Sequence, residues 1–202
     1  MKEAFKMLRE IKSVVFSTVN NGYPAARIID LMYYDESGLY FISLNTKPFY
    51  KQLINNGKVA ITGLTKDYIQ IRIVGDVKEL NKEGLDRVYK ENPEFENLFP
   101  KNEEQGTMSV FQVYKGIGEV FDLSGKINKM NRRRFAFGGE TVNEAGLKIT
   151  DKCIACGKCE KKCPFNAIEE GKPYYINPRL CDECGICYSV CPVGAILQPK
   201  GM

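Results

Sequence analysis

From the start of the chain to residue 122, apolar residues follow two periods, and each change of period marks a predicted element. Apolar residues three and four positions apart predict amphipathic helices, and β-branched or alternating runs predict strands. The predicted helices span residues 2–11, 48–54, 81 or 82 to 92, and 93–99. The predicted strands span residues 13–19, 24–34, 39–44, 58–65, 68–80 and 108–122. Antiparallel hairpins with inserted helices, and no strand–helix–strand alternation, indicate a small β-barrel rather than a doubly wound sheet.

Short polar segments mark where these elements begin and end. Asn20-Asn21-Gly22 is a hairpin turn signal between the first two strands. Asn45 or Thr46 is expected to cap a helix that begins near Pro48, because proline suits the first helical turn. The sequence Asn55-Asn56-Gly57 then predicts the end of that helix.

A polar and basic segment follows the last predicted strand. Residues 125–134 are predicted to be helical, with Arg132–Arg134 either as a solvated helix face or as a clamp on the C-terminal part of the chain. Phe135 and Phe137 either pack the C-terminal part against the barrel or belong to a flexible linker. We therefore divide the chain into residues 1–123, a connecting segment 124–147 and a small domain 148–202.

All 8 cysteines lie in that small domain, in two runs of the form C-x2-C-x2-C-x3-C-P. The first three cysteines of a run, each separated from the next by two residues on a tight loop, suit three corners of one iron–sulfur cubane. The fourth cysteine of the run reaches the other cluster. Cluster one is therefore expected on Cys153, Cys156, Cys159 and Cys191, and cluster two on Cys181, Cys184, Cys187 and Cys163. The two runs repeat at an offset of 28 residues, from Cys153 to Cys181. A zinc site would leave two cysteines of each run unused, and a disulfide framework suits a smaller secreted protein.

Composition narrows the chemistry further. The chain has no His, which removes Ser–His and Cys–His nucleophiles and the usual general base. A net charge of +4 without a dense basic surface gives no nucleic-acid footprint. No apolar run approaches the roughly 20 residues of a membrane span, and reduced cysteines that bind metal indicate a cytoplasmic compartment. Cofactors should therefore carry the chemistry.

Two family resemblances follow from these motifs. Residues 148–200 resemble the bacterial-type ferredoxin domain with two [4Fe–4S] clusters. The order of strands, turn and helix in residues 1–123 resembles the FMN-binding split barrel of the pyridoxamine 5′-phosphate oxidase superfamily. The implied fold is mainly β with helices: a six-stranded antiparallel split β-barrel joined to a small α+β ferredoxin-like domain.

The second resemblance implies the flavin site residue by residue. The family's phosphate-binding Arg matches Arg27, and backbone contacts to the flavin ring would come from Ile28, Ile29 and Asp30. The residues matched to the other family positions that surround the flavin are Ser43, Thr46, Lys47, Lys51 and Gln70, the last in Gln70-Ile-Arg-Ile-Val-Gly75. A phosphate is bound well by paired cations near a helix N-terminus.

One departure from that family concerns its oxidase activity. The family's Arg-x-His pair has no counterpart here, because the chain has no His and carries Arg132–Arg134 in that place. We therefore expect no pyridoxamine phosphate oxidase activity. The resemblance also implies a homodimer with FMN at its interface.

The functional prediction is an iron–sulfur flavoprotein oxidoreductase that passes electrons between the clusters and FMN to an unidentified acceptor. The donor would be a redox partner protein or a reduced nicotinamide, and no catalytic acid or base is assigned. A pure electron carrier without small-molecule turnover is one alternative. A barrel whose clusters are structural or sense oxygen is another.

Overall fold

The computed structural model describes residues 1–80, 82–101, 105–122, 131–142 and 146–198. Its helices are α1 (Lys2–Ile11), α2 (Pro48–Asn56), α3 (Lys82–Glu91), α4 (Phe95–Leu98), α5 (Lys158–Lys162) and α6 (Ile186–Val190). Its longer strands are β1 (Ser13–Asn20), β2 (Tyr23–Asp35), β3 (Gly38–Leu44), β4 (Lys58–Leu64), β5 (Ile69–Leu80), β6 (Met108–Asp122) and β7 (Asn131–Phe137). Four two-residue strands follow: β8 (Lys148–Ile149), β9 (Ile168–Glu169), β10 (Tyr175–Ile176) and β11 (Ile196–Leu197).

The long strands form one antiparallel sheet in the order β3-β2-β1-β4-β5-β6-β7, and a second pairing of β3 with β6 closes it. Six strands therefore form the predicted split barrel, and β7 extends the sheet outside it. The strand β6 is shared: its first half pairs with β3, and Gly116–Asp122 pairs with β7. One strand thus joins the barrel wall to the connecting segment.

The barrel core follows from strict alternation along its strands. In β1, Val14 and Phe16 are buried, while Val15 between them faces outward. Helix α1 packs against β2, β4 and β5 and buries Phe5 and Leu8 completely. Phe5 also makes an edge-on ring contact with Phe137 of β7. The connecting segment therefore contributes to the barrel core.

The start and end of α2 differ partly from expectation. Pro48 occupies the first turn, and Gly57 ends the helix in the left-handed conformation, with φ 62°. The residue before the helix is Lys47, in extended backbone, so the expected cap by Asn45 or Thr46 is wrong. The amide of Asn45 instead donates to the carbonyl oxygen of Gly106.

The predicted helix over residues 125–134 is wrong where the structure describes it. Residues 131–134 belong to β7, and residues 123–130 lie outside the described part of the chain. Phe135 and Phe137 face the barrel core, because alternate residues of a strand point to opposite faces. The flexible-linker reading is therefore wrong for these two residues.

The cysteine-rich part is a small pseudo-symmetric unit. Each run places a five-residue helix, α5 or α6, after a glycine, and the strand pairs β9–β10 and β8–β11 flank the helices. Its core contains Phe165, Ile168, Ile176 and Ile196 together with buried cysteines. None of the helices in the described residues is long and apolar enough to cross a membrane.

Candidate functional site

Two cavities in the cysteine-rich unit each bring four thiols together. Cavity one is lined by Cys153, Cys156 and Cys159 of the first run and by Cys191 of the second. Cavity two is lined by Cys181, Cys184 and Cys187 of the second run and by Cys163 of the first. These are the two crossed sets expected from the spacing, and each has the thiolate chemistry of a [4Fe–4S] ligand set.

Backbone geometry in the two runs is matched. Gly157 and Gly185, which precede α5 and α6, have φ of 69° and 78°, a conformation that glycine adopts without strain. The N–H of Ala155 donates to the sulfur of Cys153 at 3.4 Å, and the N–H of Glu183 donates to that of Cys181 at 3.3 Å. Hydrogen bonds to cluster sulfurs help to set the reduction potential.

Burial favours the protonated form of three of the thiols before iron binds. Burial raises the pKa of Cys187 to about 11, and burial also raises the pKa of Cys159 and of Cys181. The ligand form is the thiolate, so metal binding releases these protons. Iron loading should therefore contribute strongly to the folding of this unit.

Cavity two is the one that lies against the barrel. Arg132 of β7 has a side chain only 12% exposed and forms ion pairs with Glu119 of β6 and with Asp182. Arg134 donates to Glu183 at 3.3 Å, and its backbone N–H donates to the carbonyl oxygen of Arg179 at 3.0 Å. Of the two readings of Arg132–Arg134, the clamp is therefore correct for Arg132 and Arg134.

An apolar contact supports the same docking. Phe121, at the end of β6, packs against Phe165, with ring centroids 6.3 Å apart. Phe165 lines cavity two, and Asp182 lies between two of its cysteines. Cavity two therefore faces the barrel sheet through both a salt bridge and an aromatic contact.

A third cavity lies in the barrel, and we call it the barrel cavity. It has a volume of about 560 Å³, within the range of small-molecule sites. The residues that line it are Arg27, Ile28, Ile29, Met32, Ile42, Ser43, Leu44, Lys47, Pro48, Phe49, Gln52, Phe95, Phe99 and Met108. Its polar side therefore combines two cations with the first turn of α2, a combination suited to a phosphate.

Arg27 is held in place by neutral groups. Its Nη1 donates to Thr18 Oγ1 at 2.6 Å, its Nη2 donates to Gln52 Oε1 at 2.7 Å, and its guanidinium lies 4.5 Å from the ring centroid of Phe49. Partial burial lowers the pKa of Arg27, yet an arginine stays charged at physiological pH. Among the described residues, Arg27 forms no ion pair with a carboxylate. Its charge is thus available to an anionic ligand.

The structure does not bring every candidate residue to this cavity. Five line it: Arg27, Ile28, Ile29, Ser43 and Lys47. The others, Asp30, Thr46, Lys51 and Gln70, lie outside its lining. Asp30 accepts a hydrogen bond from Ser13 at 2.5 Å. Gln70 lies on the internal strand β5, paired with Leu64 of β4 and Phe121 of β6, and two strands separate β5 from β2.

Sequence reasoning missed two polar residues of the site. Gln52 and Thr18 are buried and hydrogen-bonded to one another at 2.6 Å, and both accept from Arg27. Gln52 lies three positions after Phe49, on the same face of α2. A glutamine on the apolar face of a helix was the available signal, since a buried amide needs hydrogen-bond partners.

Comparison with known proteins agrees with both parts of the structure. The family model described as "Pyridoxamine 5'-phosphate oxidase" matches residues 1–113, and the one described as "4Fe-4S dicluster domain" matches residues 143–196. A solved NimC/NimA family protein from Clostridium acetobutylicum is 28% identical, with a TM-score of 0.59 over 68% of this chain and 92% of that one.

Curated ferredoxins match a small part of this chain. A ferredoxin from Butyribacterium methylotrophicum is 59% identical over 34 residues, which is 17% of this chain and 62% of that protein. A ferredoxin from Clostridium pasteurianum is 48% identical over 29 residues, 14% of this chain and 52% of that protein. The chain thus spans less than two thirds of the length of these two ferredoxins.

Together, the fold and the cavities define an iron–sulfur flavoprotein with a redox role. The chain belongs to the pyridoxamine 5′-phosphate oxidase family and carries a C-terminal ferredoxin domain. Its cofactors are FMN and two [4Fe–4S] clusters. FMN supplies hydride and one-electron chemistry when it is bound, and the clusters exchange single electrons.

Proposed function

We propose that this protein is an oxidoreductase that passes electrons from the clusters to FMN and from FMN to a small organic acceptor. The observation that carries the proposal is the docking of cavity two on the barrel through Arg132 and Asp182. A ferredoxin unit used only as a tether would not need a buried ion pair beside its cysteines.

The order of the electron carriers follows from this docking. Phe165 and Asp182, which line cavity two, contact Phe121 of β6 and Arg132 of β7. Among the ion pairs and ring contacts of the described residues, none joins a residue that lines cavity one to the barrel. Cluster one, held by Cys153, Cys156, Cys159 and Cys191, would therefore accept electrons from a donor protein or a reduced nicotinamide. Cluster two, held by Cys163, Cys181, Cys184 and Cys187, would pass them to the flavin.

The barrel cavity supplies the flavin phosphate site in this proposal. Arg27 and Lys47 provide positive charge, Ser43 a hydroxyl, and the first turn of α2 backbone N–H groups. The apolar wall that includes Phe95, Phe99 and Met108 favours an uncharged acceptor of low polarity. Pyridoxamine phosphate oxidation is not proposed, because the chain has no His.

The first experiment is an anaerobic visible spectrum, with iron, sulfide and extractable flavin counted per chain. We expect about eight iron atoms, as two cubane clusters require, and one FMN, both bleached by one reductant. A chain that holds the iron but binds no FMN on addition would refute the flavin part of the proposal.

The alternative is a pure electron carrier, and turnover separates it from the enzyme. Reduced protein would be mixed anaerobically with a panel of small quinones and, separately, with an oxidised electron-transfer protein. Catalytic consumption of a small acceptor supports the oxidoreductase. Reoxidation by the protein acceptor alone supports the carrier.

A further inference from the structure

The two halves of the ferredoxin unit carry opposite charge, although they repeat at a fixed offset of 28 residues. The first run, residues 151–163, has four lysines against Asp151 and Glu160, which gives a net charge of +2. The second run, residues 179–191, has one arginine against Asp182 and Glu183, which gives a net charge of −1. Equivalent positions of the repeat therefore present different chemistry to their surroundings.

The acidic half is used within the molecule. Asp182 forms an ion pair with Arg132 of β7, and Glu183 forms one with Arg134 of the same strand. The residue 28 positions before Asp182 is Ile154, which is apolar and 59% exposed. The first run thus lacks the acidic group that docks the second run on the barrel, and it presents an apolar side chain to solvent there.

The surface over cavity one has an apolar centre. Ile154, Pro192 and Val193 all line cavity one, and all three are exposed. Cys156, a ligand expected for cluster one, is exposed beside them. An electron can therefore reach cluster one from a protein that covers this apolar centre.

Lysines surround the apolar centre. Lys158, which lines cavity one, begins α5, and Lys161 and Lys162 follow three and four positions later on the same side of the helix. Glu160 lies two positions after Lys158 and so faces a different side. Lys152 precedes the first cysteine of the run. All four lysines are exposed, and none of them forms an ion pair among the described residues. We call these lysines and the apolar centre the lysine surface.

The chemistry of cluster one restricts which donor can act there. A [4Fe–4S] cluster accepts one electron at a time, whereas a reduced nicotinamide gives up two electrons together as a hydride. A hydride donor therefore suits the flavin and not a cluster. The donor to cluster one is then a one-electron carrier, and unpaired lysines favour a carrier of negative charge.

We propose that the lysine surface binds an acidic one-electron carrier protein, and that this carrier is the donor to cluster one. The inference rests on the proposed function above. One electron leaves the reduced carrier and enters cluster one, so the carrier is oxidised and the cluster reduced, and no proton or leaving group moves. Complexes of this kind are the smallest protein interfaces, below about 1,200 Å² of total buried surface. An apolar centre with a charged rim is the usual anatomy of an interface.

Charge reversal on α5 tests the proposal. The test variant carries Lys158→Glu and Lys162→Glu. The matched control carries Lys66→Glu and Lys90→Glu, at exposed positions of the barrel domain, and changes the net charge by the same amount. The probe is an acidic flavodoxin reduced to its hydroquinone, mixed anaerobically with the iron-loaded, FMN-loaded protein. Formation of the blue flavodoxin semiquinone reports the loss of one electron.

The expected result is a slower reaction of the test variant alone. At low ionic strength its second-order rate constant should fall about tenfold or more, because opposite charges accelerate encounter, whereas the control should change by about twofold at most. The difference should shrink with added salt, since the Debye length falls from about 10 Å at 0.1 M to about 3 Å at 1 M. Iron content, and the rate of reduction by photoexcited deazaflavin as an uncharged reductant, should be equal in all three proteins.

Several outcomes would overturn the proposal. They are equal slowing of the test and control variants, a wild-type rate that does not depend on salt, and no reduction of the wild type by flavodoxin. Fast reduction of the clusters by a reduced nicotinamide in FMN-depleted protein would also overturn it. Self-association of the wild type that the test variant loses in sedimentation would assign the surface to a second copy instead. Clusters that flavodoxin reduces but that do not reduce FMN would refute the proposed function and leave the docking intact.

Discussion

Replacing Arg27 with methionine tests the phosphate site most directly. The guanidinium has five N–H donors, of which one is used on Thr18 and one on Gln52. The remaining donors and the charge are available to the FMN phosphate. Thr18 and Gln52 keep their mutual hydrogen bond in the variant, so the barrel should remain folded.

The size of the effect follows from what is lost. A hydrogen bond to a charged group contributes about 1.5–3 kcal/mol. If the variant loses about 3 kcal/mol of binding, the Kd for FMN rises about 100-fold, since each 1.4 kcal/mol is a factor of ten. The same change removes the two hydrogen bonds to Thr18 and Gln52, so at about 1.5 kcal/mol each it should lower the free energy of unfolding by about 3 kcal/mol.

The assay is an anaerobic titration of flavin-depleted protein with FMN, followed by the quenching of flavin fluorescence. Arg27→Lys should give an intermediate Kd, because it keeps the charge but loses the fork geometry. Arg179→Met, which removes an exposed charge of the ferredoxin unit, is the matched control. A folded Arg27→Met protein with the FMN affinity of the wild type would show that the phosphate binds elsewhere.

Three further predictions concern stability. Arg132→Ala should weaken the docking of the ferredoxin unit and accelerate proteolysis within residues 138–147. Arg133→Ala should not, because the exposed side chain of Arg133 pairs only with Glu3 among the described residues. Equal cleavage of the two variants would contradict the clamp. Gly185→Ala should lower the stability of the ferredoxin unit by about 1–2 kcal/mol, because Gly185 has a left-handed backbone conformation, and clusters should be lost at a lower chelator concentration. Gly106→Ala, where there is open space for a methyl group, should leave stability unchanged. Hydrogen bonds from Lys58 and, to a lesser extent, Lys115 lower the pKa of Asp76. Its carboxylate therefore stabilises the fold above the unfolded-state pKa, and this contribution is lost as pH falls through the lowered pKa. Asp76→Asn should make the free energy of unfolding less dependent on pH in the acid range, and an unchanged pH dependence would refute this.

The sequence predicted the barrel well because its strands alternate and its turns carry strong local signals. Gly57, for example, ends α2 where the Asn-Asn-Gly run predicted. The crossed cysteine sets were also predictable, since a repeat with fixed spacing leaves few arrangements. The cavities group the cysteines in the same two sets.

The strand β7 could not be recognised from its own residues. Its three consecutive arginines resemble a solvated helix face, but two of them meet acidic groups distant in sequence: Arg132 reaches Asp182, and Arg134 reaches Glu183. Long-range ion pairs leave no periodic signal near the residues they involve. Gln52 was missed for a similar reason, because its partners lie on β1 and β2.

The crossed arrangement of cysteines has a consequence for biogenesis. Cavity one needs Cys191 from the second run, and cavity two needs Cys163 from the first. A nascent chain therefore cannot complete the set of cavity two until Cys187 has left the ribosome, or the set of cavity one until Cys191 has. Iron delivery is thereby delayed until the barrel, which precedes the ferredoxin unit in the chain, has been synthesised. The scaffold on which the unit docks is then present before any metal is loaded.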